Sequence, residues 1–113
     1  MRLYLDVVEG PNKGQKYSLT EKTTFGRREA DILLDDPKLS GIHCYFEYSE
    51  ESGWVVVDNK SRNGVWVNGL KEMRMVLKDS DMIQIGSTQM ICRLLEANTY
   101  KFTKKFHLCM QSL

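Results

Sequence analysis

Turn-forming residues punctuate this chain roughly every 8 to 12 positions, a spacing that accommodates short strands and excludes helices of ordinary length. Leu3, Leu5 and Val7 alternate with Tyr4, Asp6 and Val8, and Gly10-Pro11-Asn12-Lys13-Gly14 then forces a turn. Short strands follow at Lys16–Leu19, at Thr23–Phe25 running into Gly26, and at Ile32–Leu34 between Asp31 and Asp35-Asp36-Pro37. Ile42–Tyr48 and Trp54–Val57 are rich in aromatic and β-branched residues, which pack well on a pleated surface. Val65–Val67 ends at Asn68-Gly69, a dipeptide suited to a type I′ hairpin because both residues tolerate positive φ. Met73–Leu77, Met82–Ile85 and Gln89–Leu95 complete the series. About ten or eleven short, mostly antiparallel strands predict an all-β sandwich or barrel over residues 1–96.

Residues 97–113 read differently. Phe102, Phe106, Cys109, Met110 and Leu113 share one helical face, while Tyr100, Phe102, Phe106, Leu108 and Met110 share strand parity. The expectation is a C-terminal extension, either a short amphipathic helix capped near Asn98 or Thr99 and covering a sandwich edge, or a linker. Its Lys101, Lys104, Lys105 and His107 read as an ordinary solvated face.

Length and charge then remove whole classes of function. At 113 residues, with 27% charged and 42% hydrophobic side chains, the chain is expected to form one globular domain, which excludes a disordered tail, a collagen or a coiled coil. Sixteen basic residues against fifteen acidic ones leave a net charge of +1, too little for a bulk electrostatic nucleic-acid binder. Any preference for anions must come from a local site. No apolar run approaches the roughly 20 residues of a membrane span, and Met-Arg-Leu-Tyr-Leu-Asp is no signal peptide. Cys44, Cys92 and Cys109 are odd in number, far apart and without a Cys-x-x-Cys pair. They read as buried or semi-buried thiols of a reducing compartment, so the protein is expected inside the cell, cytoplasmic or nuclear.

Three loops carry residues that mere turns do not require. These are Phe25-Gly26-Arg27-Arg28, Leu39-Ser40-Gly41-Ile42-His43 and Ser61-Arg62-Asn63-Gly64. The order Gly-Arg, then Ser-x-x-His with its serine thirteen residues past the arginine, then Ser-x-Asn-Gly and a later Asn-Gly, resembles the forkhead-associated (FHA) domain. The resemblance spans residues 1–96 and includes Gly10 and Gly14 early and Asp81–Gly86 late. It implies an FHA-like β-sandwich whose loops at one end bind phosphothreonine peptides.

Position by position, the resemblance implies that Arg27 and Ser40 hold the phosphate. The chemistry agrees, since an arginine fork matches phosphate oxygens and a hydroxyl adds a short hydrogen bond without bulk. Asn63 would hold the peptide main chain, because an amide both donates and accepts. Gly26 and Gly64 would shape loops, and His43 would brace the loop carrying Ser40. Two positions depart from the family pattern. Gly41 stands where many members carry an arginine or asparagine that reaches the ligand, so that contact is missing or supplied by backbone. Arg62 stands where threonine is common and adds a cation, with Lys38 or Lys60 nearby in sequence. Val65 replaces the commoner threonine of Asn-Gly-Thr, which suits a strand.

Other chemistries are poorly served. A Ser40–His43 hydrolase would need an orienting acid and a strained nucleophile elbow, and no Gly-x-Ser-x-Gly is present. Asp35, Asp36 and Asp58 read as turn acids rather than metal ligands. Gly10–Lys16 lacks the Walker spacing. The expectation is therefore a non-catalytic module without metal or cofactor, a monomer partnered by a phosphothreonine-containing protein, with neither nucleic-acid binding nor membrane insertion. The alternative is a phosphate-independent FHA-like scaffold of a larger assembly such as bacterial secretion machinery, but such members tend to lose the binding residues present here.

Overall fold

In the computed structural model, residues 1–95 are described, and they form eleven strands in two sheets. The strands are β1 (Arg2–Glu9), β2 (Lys16–Leu19), β3 (Thr23–Gly26), β4 (Ile32–Leu33), β5 (Cys44–Ser49), β6 (Gly53–Asp58), β7 (Val65–Val67), β8 (Leu70–Lys71), β9 (Arg74–Val76), β10 (Met82–Ile85) and β11 (Thr88–Leu95). One sheet runs β2-β1-β11-β10-β7-β8 and the other β4-β3-β5-β6-β9. Every pairing is antiparallel except β3 with β4. The all-β sandwich is thus the observed architecture. The expected C-terminal helix or linker lies outside the described residues.

The alternation in the sequence translates directly into burial. Leu3, Leu5 and Val7 of β1 face the core, as do Ile83 and Ile85 of β10 and Met90 and Cys92 of β11. Phe25, Phe46, Trp54 and Val56 fill the same core from the opposing sheet. Phe25 meets Phe46 edge-on at 5.1 Å between ring centres and Tyr17 of the other sheet at 5.5 Å, so aromatic edges join the two layers. Cys44 and Cys92 are buried free thiols, and Cys109 lies outside the described residues. Burial pushes the Cys92 thiol up to about 11 and raises that of Cys44 as well, while Cys92 Sγ donates to the Lys78 carbonyl at 3.0 Å.

The chain differs from the sequence expectation at strand edges. Strand β5 begins at Cys44 rather than Ile42, because the Ile42 carbonyl accepts the Asn59 side-chain amide at 3.2 Å and stays in the loop. Strand β8 is a two-residue return after the Asn68-Gly69 turn, whose φ values of 50° and 85° match the I′ geometry.

The register of β3, β5 and β6 places the functional loops. Cys44 pairs with Phe25 on one side and with Asp58 on the other. The residues just past β3, just before β5 and just past β6 must therefore emerge at the same end of the sandwich. Strand β7 starts at that end too, with Val65 opposite Ile85.

Candidate functional site

Three loops meet at this end: Arg27–Asp31, Leu34–His43 and Asn59–Gly64. Main-chain bonds zip the first to the second. The Arg27 amide donates to Ser40 O at 3.1 Å, and the Arg28 and Glu29 amides share Gly41 O at 3.2 and 3.4 Å. This approach is possible only because position 26 has no side chain. A Cβ on Gly26 would stand on the Gly41 carbonyl oxygen and 2.9 Å from Ile42 Cα.

The second loop is zipped to the third by side chains. Ser40 Oγ accepts the Arg62 amide at 3.1 Å, which leaves the hydroxyl hydrogen free to donate outward. Asn63 Nδ2 donates to Lys38 O at 2.7 Å, leaving its Oδ1 and second N–H free. The third loop also holds itself, with Ser61 N bonded to Asp58 Oδ1 and Gly64 N bonded to Ser61 Oγ. Gly64 sits at a φ of 82°, a backbone conformation that glycine adopts without strain.

His43 lies beneath the junction, fully buried. Its Nδ1 accepts the Ser40 amide at 3.1 Å and its Nε2 is 2.8 Å from Gly64 O. The Ser40 amide can only donate, so Nδ1 is the bare nitrogen and Nε2 carries the hydrogen toward Gly64. Both ring nitrogens are thus engaged with backbone, and neither faces Ser40 Oγ. The imidazole ties two loops together and has no nitrogen left to activate the serine.

Above this junction opens a cavity of about 570 Å³ lined by Arg27, Arg28, Lys38, Ser40, Gly41, Arg62 and Asn63, among others. All five residues expected to contact a ligand, Arg27, Ser40, Gly41, Arg62 and Asn63, line it. The three expected to shape loops, Gly26, His43 and Gly64, lie below it. Arg27 is exposed and uses one of its five N–H donors, Nη1, on Pro37 O at 3.2 Å. Gly41 has open space, since a Cβ there would meet nothing within 4 Å. Among the described residues no cluster of three metal-ligating side chains occurs, and no helix is long and apolar enough to cross a membrane.

The FHA domain family matches residues 23–86, which contain all three loops. The chain belongs to the FHA family. FHA domains are phosphothreonine-binding modules, and several relatives of this one are regulatory proteins. It is 39% identical over 89 residues to an oxoglutarate dehydrogenase inhibitor of Corynebacterium efficiens, covering 77% of this chain and 62% of that protein. It is 37% identical, with 77% and 56% covered, to the glycogen accumulation regulator GarA of Mycolicibacterium smegmatis. The chain thus spans about three fifths of the length of these relatives. A solved structure from work on phosphothreonine-dependent FHA domain interactions superposes with a TM-score of 0.75 at 26% identity, covering 85% of this chain and 99% of that one.

One residue of this FHA domain escaped the sequence reading. Asp36, taken there as a turn acid, is fully buried and has no cationic partner among the described residues. Its Oδ1 accepts the Lys38 amide at 3.0 Å, and its Oδ2 accepts Ser87 N at 2.7 Å and Thr88 Oγ1 at 2.8 Å. It thereby anchors the Ser40 loop to the β10–β11 turn. Asp36→Ala strands three donors, the half-buried Lys38 and Ser87 amides and the buried Thr88 hydroxyl, and a buried unsatisfied group costs about 1–3 kcal/mol. The expected result is a loss of about 2–4 kcal/mol in chemical denaturation. An unchanged midpoint would show that the loop stands without this anchor.

Proposed function

We propose that this domain is a non-catalytic module that binds phosphothreonine-containing proteins and assembles them in response to signalling inside the cell. The observation that carries the reading is the convergence of the Arg27 guanidinium and the outward-free Ser40 hydroxyl on one cavity, on loops held by backbone bonds that do not involve a ligand. Arg27 and Ser40 bind the phosphate, with Arg62 as an added cation. Asn63 turns its free amide groups to the peptide main chain beside the phosphothreonine. At Gly41, where the carbonyl is already taken by the Arg28 and Glu29 amides, only the backbone N–H is left for the ligand.

Such a site costs little to organise at the moment of binding. His43, Asp36 and the Gly26–Gly41 approach already hold the loops, so ligand immobilisation is the main entropic loss. The relatives' roles as an enzyme inhibitor and a metabolic regulator support a function exerted through protein contacts. The scaffold alternative is disfavoured by the presence of the complete Arg27, Ser40, His43 and Asn63 set.

Calorimetry with a degenerate phosphothreonine peptide library, its unphosphorylated counterpart and a phosphoserine version tests the reading. Phosphothreonine should bind and the unphosphorylated library should not. Phosphoserine should bind more weakly by about 10- to 200-fold, because it lacks one methyl group and threonine's stiffer χ1. Equal affinity for the two phosphoamino acids would leave a general anion site. No binding across diverse libraries would favour the scaffold.

A further inference from the structure

Strand β9 is the outer edge of its sheet, and nothing among the described residues pairs with its free side. On its inner side Met73 O accepts the Asp58 amide at 2.8 Å, and the Leu77 amide donates to Trp54 O at 2.9 Å. Met75, opposite Val56, lies between these contacts. Backbone groups point to alternate sides along an antiparallel strand, so residues 73, 75 and 77 turn theirs inward. Arg74 and Val76 therefore present their N–H and C=O groups outward, from exposed positions. Apolar side chains gather beside this edge. Leu70 is 64% exposed, Met73 56% and Val76 48%, and a cavity of about 340 Å³ lined in part by Val67, Leu70, Met75 and Val76 opens there.

Unpaired backbone groups flanked by apolar surface are a template for another strand. The charges say which one. Glu72 precedes β9 and Lys78 follows it, both exposed, and neither belongs to an ion pair among the described residues. In an antiparallel two-fold pairing, the Glu72 end of each strand meets the Lys78 end of its copy. The backbone then selects the register. Setting Arg74 opposite Val76 of the second copy brings every outward group into a hydrogen bond. Sliding the strands by two residues either way leaves part of these groups unpaired. It also sets Arg74 against Arg74 or Lys78 of the copy, and like charges directly opposite are destabilising.

We propose that β9 is a self-association edge, on which a second copy of this chain pairs antiparallel. The pairing extends the β4-β3-β5-β6-β9 sheet across a two-fold axis and covers Leu70, Met73 and Val76. The interface is independent of phosphothreonine recognition, because none of these residues lines the loop-end cavity. A dimer thus carries two such cavities outside its interface. The strand is short and carries the cation Arg74, so the dimer is weak and reversible rather than the start of a fibre.

Sedimentation equilibrium of the intact chain from about 10 μM to about 1 mM tests this, and the average mass should rise from one chain toward two. Val76→Pro removes an outward donor and spares the bonds to β6, since edge strands tolerate proline where the N–H faces solvent. It should weaken association about tenfold or more. Glu72→Lys and Lys78→Glu each bring like charges together, and each alone should weaken association about three- to tenfold at low salt. An equimolar mixture of these two should associate within about twofold of the wild type, because each then meets opposite charge in the other. In about 1 M salt the charge effects should vanish. If Val76→Pro fails to fold, the two exposed charge variants decide alone. A single-chain mass at every concentration overturns the proposal and leaves the edge to a strand of another protein. Association unchanged in the variants places the dimer on another surface and overturns it too, as does a mixture no tighter than its components.

Discussion

Arg27→Ala should weaken phosphothreonine-peptide binding by about 2–4 kcal/mol, or about 30- to 900-fold, with little change in stability. The separation follows from how Arg27 is held. Its main-chain amide donates to Ser40 O, and that bond survives truncation of the side chain. The guanidinium contributes one bond to an exposed carbonyl, that of Pro37, whose loss water makes good. Surface changes of this kind stay within about 0.5 kcal/mol. The phosphate has no such replacement. It would lose a permanent charge and a planar fork, the strongest partner the cavity offers. Arg27→Lys should fall between, retaining the charge without the fork. Titration of one phosphothreonine peptide into the three proteins, beside their thermal denaturation curves, checks this. Normal binding by Arg27→Ala would place the phosphate elsewhere, and unfolding would make Arg27 a structural residue.

What could be read before the structure depended on whether the signal was local. Alternation in β1, β10 and β11 announces which face is buried, since period-two burial is written in consecutive residues. The Asn68-Gly69 turn is equally local, because positive φ is a property of those two residues. Arg27, Ser40, His43 and Asn63 stood out as polar residues at strand boundaries whose types exceed the needs of a turn. Their convergence could not be derived from spacing, because it rests on the Phe25–Cys44–Asp58 register across three strands. Asp36 was opaque for the same reason. It and Asp35 are adjacent acids in a loop without periodicity, yet Asp35 is exposed and exchanges bonds with Asn12, while Asp36 is buried against Ser87 and Thr88. Partners fifty residues away leave no mark on the local sequence.

His43→Ala should differ in kind from Arg27→Ala, lowering stability and binding together. Truncation removes a fully buried ring and leaves a cavity that the surrounding backbone can only partly close. It also strips two groups of their partners, the half-buried Ser40 amide and the buried Gly64 carbonyl. Cavity and lost bonds together should cost about 3–5 kcal/mol. At about 4–8 °C per kcal/mol for a domain of this size, the melting temperature should fall by at least 12 °C or so. Binding should weaken in the fraction that stays folded, because Ser40 and Gly64 belong to the two loops that the imidazole joins. Once they part, Ser40 Oγ and the Arg62 amide no longer keep their 3.1 Å contact, and the hydroxyl loses its outward aim. Calorimetry well below the lowered transition separates this effect from simple unfolding. His43 is not itself among the residues that line the cavity, so a variant that loses binding with an unchanged melting temperature would show that the ring contacts the ligand itself. One that melts early yet binds with full affinity would show that the loops find their geometry without the brace.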